Sequence, residues 1–122
     1  MTAPPHSEGS AFVAASEVPI EDLGDGITRQ ILAFGPELMV ARASFETGAI
    51  GYLHSHPHAQ IAYVESGRFR ASVGGVEREL QAGDTYYAKP GVEHGAVCLE
   101  AGVLLDIFTP KRADFLDKEN RT

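Results

Sequence analysis

Apolar and polar residues alternate with a period of two along the middle of the chain. The alternation is clearest over residues 39–46, 60–64 and 68–73. This period is typical of β-strands, whose successive side chains point to opposite faces of a sheet. Residues 28–110 show no stripe at the helical spacing of about 3.6 residues. Many short strands at close spacing predict an all-β fold, either a sandwich or a small barrel.

Two local features refine this prediction. Gly74 and Gly75 separate two alternating runs, and since glycine accepts positive φ at both positions of a tight turn, they predict a β-hairpin. Residues 103–108 are apolar on both faces of a strand. On a small barrel, such a strand indicates a contact between subunits, so we expect a homodimer.

The chain length and the composition of the two terminal segments indicate a single domain between them. A chain of 122 residues has room for a single domain, which we place at residues 19–112. Residues 1–18 are small, polar and proline-containing, and predict a loose lead-in with a short docked segment around Phe12 and Val13. Residues 113–122 predict a polar tail with a helical turn at 114–118.

Composition and charge exclude several classes of partner. The net charge of −7, with no basic run, argues against nucleic acid. No apolar stretch approaches the roughly 20 residues that span a bilayer, so no membrane association is expected. No Lys or Arg precedes Arg29, so we expect no signal peptide and a cytoplasmic location. The single cysteine, Cys98, is expected to be a small buried residue rather than a ligand or nucleophile.

The candidate chemistry lies in the histidines. Four of the five are His54, His56, His58 and His94. On a strand, His54 and His56 would share a face about 7 Å apart and could converge on one ion. Pro57 then ends the strand, and His94, in a loop, could return to the same ion. The alternative is a histidine-rich loop that binds nothing.

These histidines belong to a longer two-part motif, in which Gly48-x5-His54-x-His56-x3-Gln60-x6-Gly67 is followed by Gly91-x2-His94. The motif resembles that of the cupin superfamily, G-x5-H-x-H-x(3,4)-E-x6-G followed by G-x5-P-x-G-x2-H-x3-N. The resemblance implies a small double-stranded β-helix, the cupin jelly-roll barrel. It also implies a divalent metal ion, Ni, Zn, Fe or Mn, held by His54, His56 and His94.

Gln60 departs from the cupin motif, which has glutamate at this position. Its amide oxygen could coordinate the metal, the site could keep three protein ligands, or Gln60 could be a polar strand residue that touches no metal. Imidazole ligands without a carboxylate leave the ion its full charge. This favours a Lewis-acid role or anion binding over high-valent iron chemistry.

A narrower resemblance is to the KdgF family of pectin-degradation proteins. It is carried by H-S-H-P-H-A-Q at residues 54–60 and by L-D-I-F-T-P-K-R-A-D-F-L at residues 105–116. It implies ring opening and tautomerisation of 4,5-unsaturated uronate monosaccharides to 4-deoxy-5-keto uronates. It also implies Gln60 as the fourth metal ligand, and catalytic roles for Asp106, Phe108 and Arg112.

The residue types are compatible with these roles. Asp106 and Phe108 are two residues apart and share a strand face. Inside the barrel, Asp106 could accept and return a proton, and Phe108 could wall the pocket. The planar guanidinium of Arg112 suits a substrate carboxylate. The alternatives are a structural Asp106–Arg112 ion pair, a core role for Phe108 and a solvated surface charge at Arg112.

Two other functions are open at this point. One is a different metal-dependent cupin enzyme, a dioxygenase or a lyase that acts on a small acid. The other is a cupin that binds a small molecule without catalysis.

Overall fold

Antiparallel β-strands make up most of the structure, a computed structural model that describes residues 7–117. The strands are β1 (Glu21–Gly24), β2 (Ile27–Gly35), β3 (Leu38–Phe45), β4 (Ile50–His54), β5 (Ala59–Val73), β6 (Val76–Gln81), β7 (Thr85–Ala88) and β8 (His94–Thr109). A 3₁₀ turn, Ala15–Glu17, precedes them, and a short helix, α1 (Ala113–Asp117), follows. No helix in this part of the chain is long and apolar enough to cross a membrane.

Two long strands organise the sheet. The strand order is β1-β2-β3-β8-β5-β6, with β4 also paired to β8 and β7 to β5. Strands β5 and β8 pair along most of their 15 and 16 residues. One half of each long strand belongs to one wall of the barrel, and the other half belongs to a second wall. The first wall contains β2, β3 and β7, and the second contains β4 and β6. This arrangement confirms the predicted fold class, an all-β double-stranded β-helix.

Two glycines allow the long strands to pass from one wall to the other. The register between β5 and β8 shifts between Val64 and Phe69. Within this irregularity Gly67 has a φ of +80°. A Cβ atom on Gly102, on the facing strand, would lie 2.1 Å from the carbonyl oxygen of Ser66. The two backbones therefore approach more closely than any larger residue permits, and the sheet bends there.

The hairpin predicted at Gly74 and Gly75 is confirmed. Val73 pairs with Val76 across the turn, and the two glycines have φ values of 57° and 84°. Positive φ at both central residues is the requirement of a type I′ turn, which matches the right-handed twist of the flanking strands.

The inward face of each strand determines which side chains point into the barrel. Met39, Ala41 and Ala43 of β3 point inward and are buried. In β5 the larger apolar residues point outward instead, with Ile61 43% and Tyr63 39% exposed. The inward positions of that strand are Gln60, Ala62 and Val64. Two core clusters result, one around Phe69, Val64, Cys98 and Leu104, the other around Ile31, Phe34, Met39 and Phe108.

The segment before β1 docks differently from the prediction. Phe12 is 93% exposed, whereas Val18 is 6% exposed. The Gln30 side-chain amide donates to the carbonyl oxygens of Ala15 and Val18 at 2.8 and 3.1 Å. Of the two residues expected to dock, Phe12 is exposed and Val13 is half-buried. Backbone carbonyls at the 3₁₀ turn attach this segment to β2.

Candidate metal centre and active site

Three histidines from separate parts of the fold meet at one point. His54 is the last residue of β4, His94 is the first residue of β8, and the two face each other across the strand pair. His56 lies in the loop between β4 and β5, so the prediction that it shares a strand with His54 is wrong, as is the loop predicted for His94. One ring nitrogen from each of the three histidines lies within 4.8 Å of the others.

Backbone carbonyls fix the orientation of all three rings. The Nδ1 atoms of His54, His56 and His94 each lie 2.9 Å from a carbonyl oxygen, those of Tyr52, His58 and Val92 respectively. A carbonyl oxygen only accepts hydrogen bonds, so Nδ1 carries the hydrogen in each neutral ring. The Nε2 lone pairs are therefore free.

Gln60 completes this cluster. Its amide nitrogen donates to Asp106 Oδ1 at 2.9 Å, and this orients Oε1 toward the histidines. Oε1 lies 3.0 Å from Nε2 of both His56 and His94. The lone pairs on Gln60 Oε1 and on the two Nε2 atoms repel one another unless a proton or a cation lies among them. Burial lowers the pKa of both His56 and His94, which disfavours the proton. The donor set thus fits a divalent cation.

Asp106 lies inside the barrel beside this cluster. Its neighbours across the sheet are Ala41 and Ala62, whose small side chains leave room next to the carboxylate. Burial raises the pKa of Asp106 to about 6, against the opposing effects of the Gln60 amide and the Arg112 and Arg29 charges. Oδ1 accepts from Gln60, and Oδ2 has no hydrogen-bond partner among residues 7–117. This oxygen is free to exchange a proton.

Arg112 is a buried cation rather than a solvated one. Its residue surface is 9% exposed, and Nε and Nη2 donate to Asp114 at 2.9 and 2.7 Å. This ion pair lowers the pKa of Asp114. The alternative of a structural Asp106–Arg112 ion pair does not hold, because the partner of Arg112 is Asp114. Nη1 has no hydrogen-bond partner within the described part of the chain, which leaves one edge of the guanidinium available.

Phe108 connects the core to the site. It is 2% exposed and belongs to the second core cluster. Its ring centroid lies 5.9 Å from that of His56, and the Arg112 guanidinium carbon lies 5.1 Å from the Phe108 centroid. Phe108 therefore forms part of the core and also contacts two groups of the candidate site.

Two residues near this site, Tyr86 and Phe115, were not predicted from the sequence. The Tyr86 hydroxyl accepts from the Gln60 amide at 3.4 Å, and burial raises the pKa of this tyrosine. Phe115 packs edge-on against Phe108 at 5.5 Å. No sequence pattern indicated a role for either residue, although Phe115 lies within the KdgF-like motif at residues 105–116. Cys98 is 1% exposed within the first core cluster, as expected of a small buried residue.

Comparison with known proteins identifies the family. A family model for the cupin domain matches residues 41–108 of the chain. The pectin degradation protein KdgF of Dickeya dadantii (strain 3937) is 50% identical over 102 residues, covering 82% of this chain and 93% of that protein. The chain belongs to the KdgF family of cupins. The resemblance stated from the sequence is therefore confirmed.

Solved structures agree with this family. The cupin is similar to an RmlC-like cupin from Shewanella frigidimarina NCIMB 400, with a TM-score of 0.86 and 44% identity over 88% of this chain and 97% of that chain. It is also similar to KdgF from Halomonas sp., with a TM-score of 0.83 and 38% identity over 86% of this chain and 97% of that chain.

Proposed function

We propose that this cupin is a metal-dependent enzyme of sugar-acid breakdown. Its reaction is the opening of a cyclic 4,5-unsaturated uronate and the tautomerisation of the product to a 4-deoxy-5-keto uronate. The observation that carries the proposal is the position of Asp106. Its carboxylate lies beside the histidine–glutamine cluster, bonded to the Gln60 amide, with one oxygen free. The relatives named as pectin-degradation proteins support the substrate class.

Four residues would hold the metal ion: His54, His56, Gln60 and His94. Three imidazole nitrogens and an amide oxygen are neutral ligands, so the site does not offset the charge of a divalent ion. When bound, Ni, Zn, Fe or Mn would polarise a substrate oxygen as a Lewis acid. The backbone carbonyls that hold the three Nδ1 atoms keep the rings in place for this role.

Asp106 would move the proton. Ring opening breaks the bond between the anomeric carbon and the ring oxygen: the anomeric hydroxyl loses its proton and becomes an aldehyde, and the ring oxygen takes a proton and becomes an enol hydroxyl. The enol then loses its O–H proton and gains one on carbon to give the ketone, so the substrate and product are isomers and no oxidant is consumed. The free Oδ2 atom is the acceptor and donor in this transfer. The Gln60 amide holds Oδ1, and thereby fixes the direction of Oδ2.

Arg112 and Phe108 would hold the substrate. The free edge of the Arg112 guanidinium is suited to the uronate carboxylate, since arginine binds carboxylates in a planar geometry. The Phe108 ring, between His56 and Arg112, would wall the pocket and exclude water. A bound divalent ion together with Arg112 would supply local positive charge against the net charge of −7, which repels anions at long range.

A spectroscopic assay tests the function. We expect the metal-loaded protein to abolish the conjugated absorbance of a 4,5-unsaturated galacturonate, and the chelator-treated protein to leave it unchanged. Oxygen uptake with Fe(II) during turnover of a small acid would favour a dioxygenase instead. Tight binding of the uronate without turnover would indicate a binding protein, and either result would contradict the proposal.

The same proposal includes a homodimer formed through the first wall of the barrel. The outward residues Ile61, Ile107 and Tyr87 lie side by side across β5, β8 and β7, and are 43%, 37% and 55% exposed. An apolar groove of about 480 Å³, lined in part by Leu38, Val40 and Ile107, adjoins this surface. A second copy would cover it. The cytoplasmic location and the absence of a nucleic-acid partner stay predictions.

A further inference from the structure

Two arginines enclose one aromatic ring at the mouth of the barrel. The guanidinium carbon of Arg29 lies 3.7 Å from the centroid of the Phe115 ring, and that of Arg112 lies 4.2 Å from it. Two guanidinium groups this close to one centroid cannot share a face of the ring, so Phe115 lies between them. We call these three residues the arginine sandwich. Each cation has its own carboxylate, Glu21 for Arg29 and Asp114 for Arg112.

The position of Arg29 is unusual for a charged residue. It points inward from β2 between Ile27 and Ile31, and its side chain is 11% exposed. An apolar side chain would fill such a position without the cost of desolvating a charge. Glu21 accepts from Arg29 Nε and Nη2 at 3.1 and 3.4 Å and so compensates that charge. The ion pair alone does not account for the stacking on Phe115.

The contacts of Phe115 connect Arg29 to the site. Phe115 belongs to α1, the short helix that follows Arg112. Its ring packs against Phe108 at 5.5 Å with an angle of 90° between the planes. With one face against Arg29 and an edge contact to Phe108, the ring has a fixed plane. That plane, together with the ion pair to Asp114, sets the orientation of the Arg112 guanidinium stacked on it.

We propose that Arg29 is a positioning residue: by stacking on Phe115, it holds α1 against the barrel mouth and fixes Arg112 in the orientation that receives the carboxylate of a small sugar acid. This inference rests on the proposed function for its substrate. Glu21 and Phe115 contact the Arg29 guanidinium on two sides, and the proposal assigns Arg29 no contact with the substrate.

Arg29→Lys tests this role, because lysine keeps the charge next to Glu21 but cannot stack as a plane. The control is Arg68→Lys, at an arginine that also forms ion pairs, here with Glu79 and Glu100, but lies in the part of β5 that pairs with β6. We expect Arg29→Lys to raise KM for the unsaturated galacturonate and to lower kcat/KM by about tenfold or more. The control should match the wild type, and the melting temperature of each variant shows whether it is folded.

A double-mutant cycle with Phe115→Leu separates positioning from a general structural effect. If Arg29 acts through Phe115, Arg29→Lys will have little further effect on KM in the Phe115→Leu background. Hydrogen–deuterium exchange of residues 112–117 should also be faster in Arg29→Lys than in Arg68→Lys. Additive effects on KM, or unchanged exchange at α1, would overturn the inference.

The two proposals fail in different ways. A wild-type protein that turns over no unsaturated uronate refutes the proposed function. The exchange comparison does not depend on turnover, and still decides whether Arg29 holds α1 and Arg112. Turnover by the wild type together with unchanged KM in Arg29→Lys refutes the role of Arg29 and leaves the proposed function in place.

Discussion

At the scale of single residues, the Asp106 carboxylate is the group on which the proposed proton transfer depends. Asp106→Asn keeps the size of the side chain and an oxygen that can accept from Gln60, but it cannot take up a proton. We expect kcat to fall by roughly a hundredfold or more, the usual range for the loss of a general base. Metal content should not change. Metal analysis and the absorbance assay measure both quantities.

The control for this variant is Asp22→Asn, at an exposed aspartate of β1 that accepts from the Gly24 amide. It makes the same chemical change away from the histidines and should keep wild-type kcat. Equal rates in Asp106→Asn and the wild type would remove Asp106 from the mechanism, and another group would have to transfer the proton.

His94 is one of the four proposed ligands of the metal centre. It is 1% exposed, and its Nε2 atom faces Gln60 Oε1. We expect His94→Ala to lose most of its metal, because the remaining ligands come from β4, β5 and the loop between them and no longer surround the ion. The stability gained on adding metal should fall with it, since a ligand stabilises the fold only to the extent that it binds. Elemental analysis and thermal unfolding with and without metal measure these effects.

His58→Ala is the matched control. His58 lies two residues after His56 but is outside the cluster of three converging ring nitrogens. Its backbone carbonyl, which accepts from His56, is unaffected by the substitution. Full metal content in His94→Ala, or equal loss in both variants, would contradict the proposed ligand set.

At the scale of the elements, Gly102 is a point where two strands are in close contact. Gly102→Ala would place a Cβ atom 2.1 Å from the Ser66 carbonyl oxygen and 2.6 Å from Gly67 Cα. Because both contacts are to backbone, β5 or β8 must move, and overpacking of this kind costs about 1–3 kcal/mol or more. Gly35→Ala is the control, since a Cβ there meets no atom within 4 Å. Denaturant unfolding should show a clearly lower free energy of unfolding for Gly102→Ala alone.

The alternation of apolar residues predicted the strands but not always their faces. In β3 the inward face carries the buried apolar residues Met39, Ala41 and Ala43, as expected of a half-buried strand. In β5 the inward face carries Gln60 and Ala62, while Ile61 and Tyr63 point outward. A barrel that encloses a polar site inverts the usual pattern there, so hydrophobicity alone could not assign the faces.

The candidate site was predictable where it depends on local spacing. The H-x-H pair and His94 were found from the motif, and their convergence agrees with it. The arginine sandwich could not be predicted from the motif, because it requires α1 to fold back over the barrel and bring Phe115 next to Arg29. The sequence separation between these two residues is too large for any local pattern. The polar composition of residues 113–122 also gave no sign that Phe115 and Leu116 pack against the second core cluster.

At the scale of the whole molecule, the proposed homodimer would form through the outer face of the first wall. Strand register places Val40, Ile107, Ile61 and Tyr87 in one row across four strands. A charge in the centre of this row would be desolvated in a two-fold contact and would meet its own copy, which is unfavourable on both counts. We therefore expect Ile61→Glu to dissociate a dimer of about twice the 13.1 kDa chain mass into monomers.

Val76→Glu is the control for this substitution. Val76 is 54% exposed, comparable to the 43% of Ile61, but lies next to the β5–β6 hairpin turn on the other wall. It adds the same charge to an exposed β-branched residue and should leave the mass unchanged in light scattering. A monomeric wild type, or a dimer that survives Ile61→Glu, would show that this face does not join two copies. The apolar row would then have to serve a different partner.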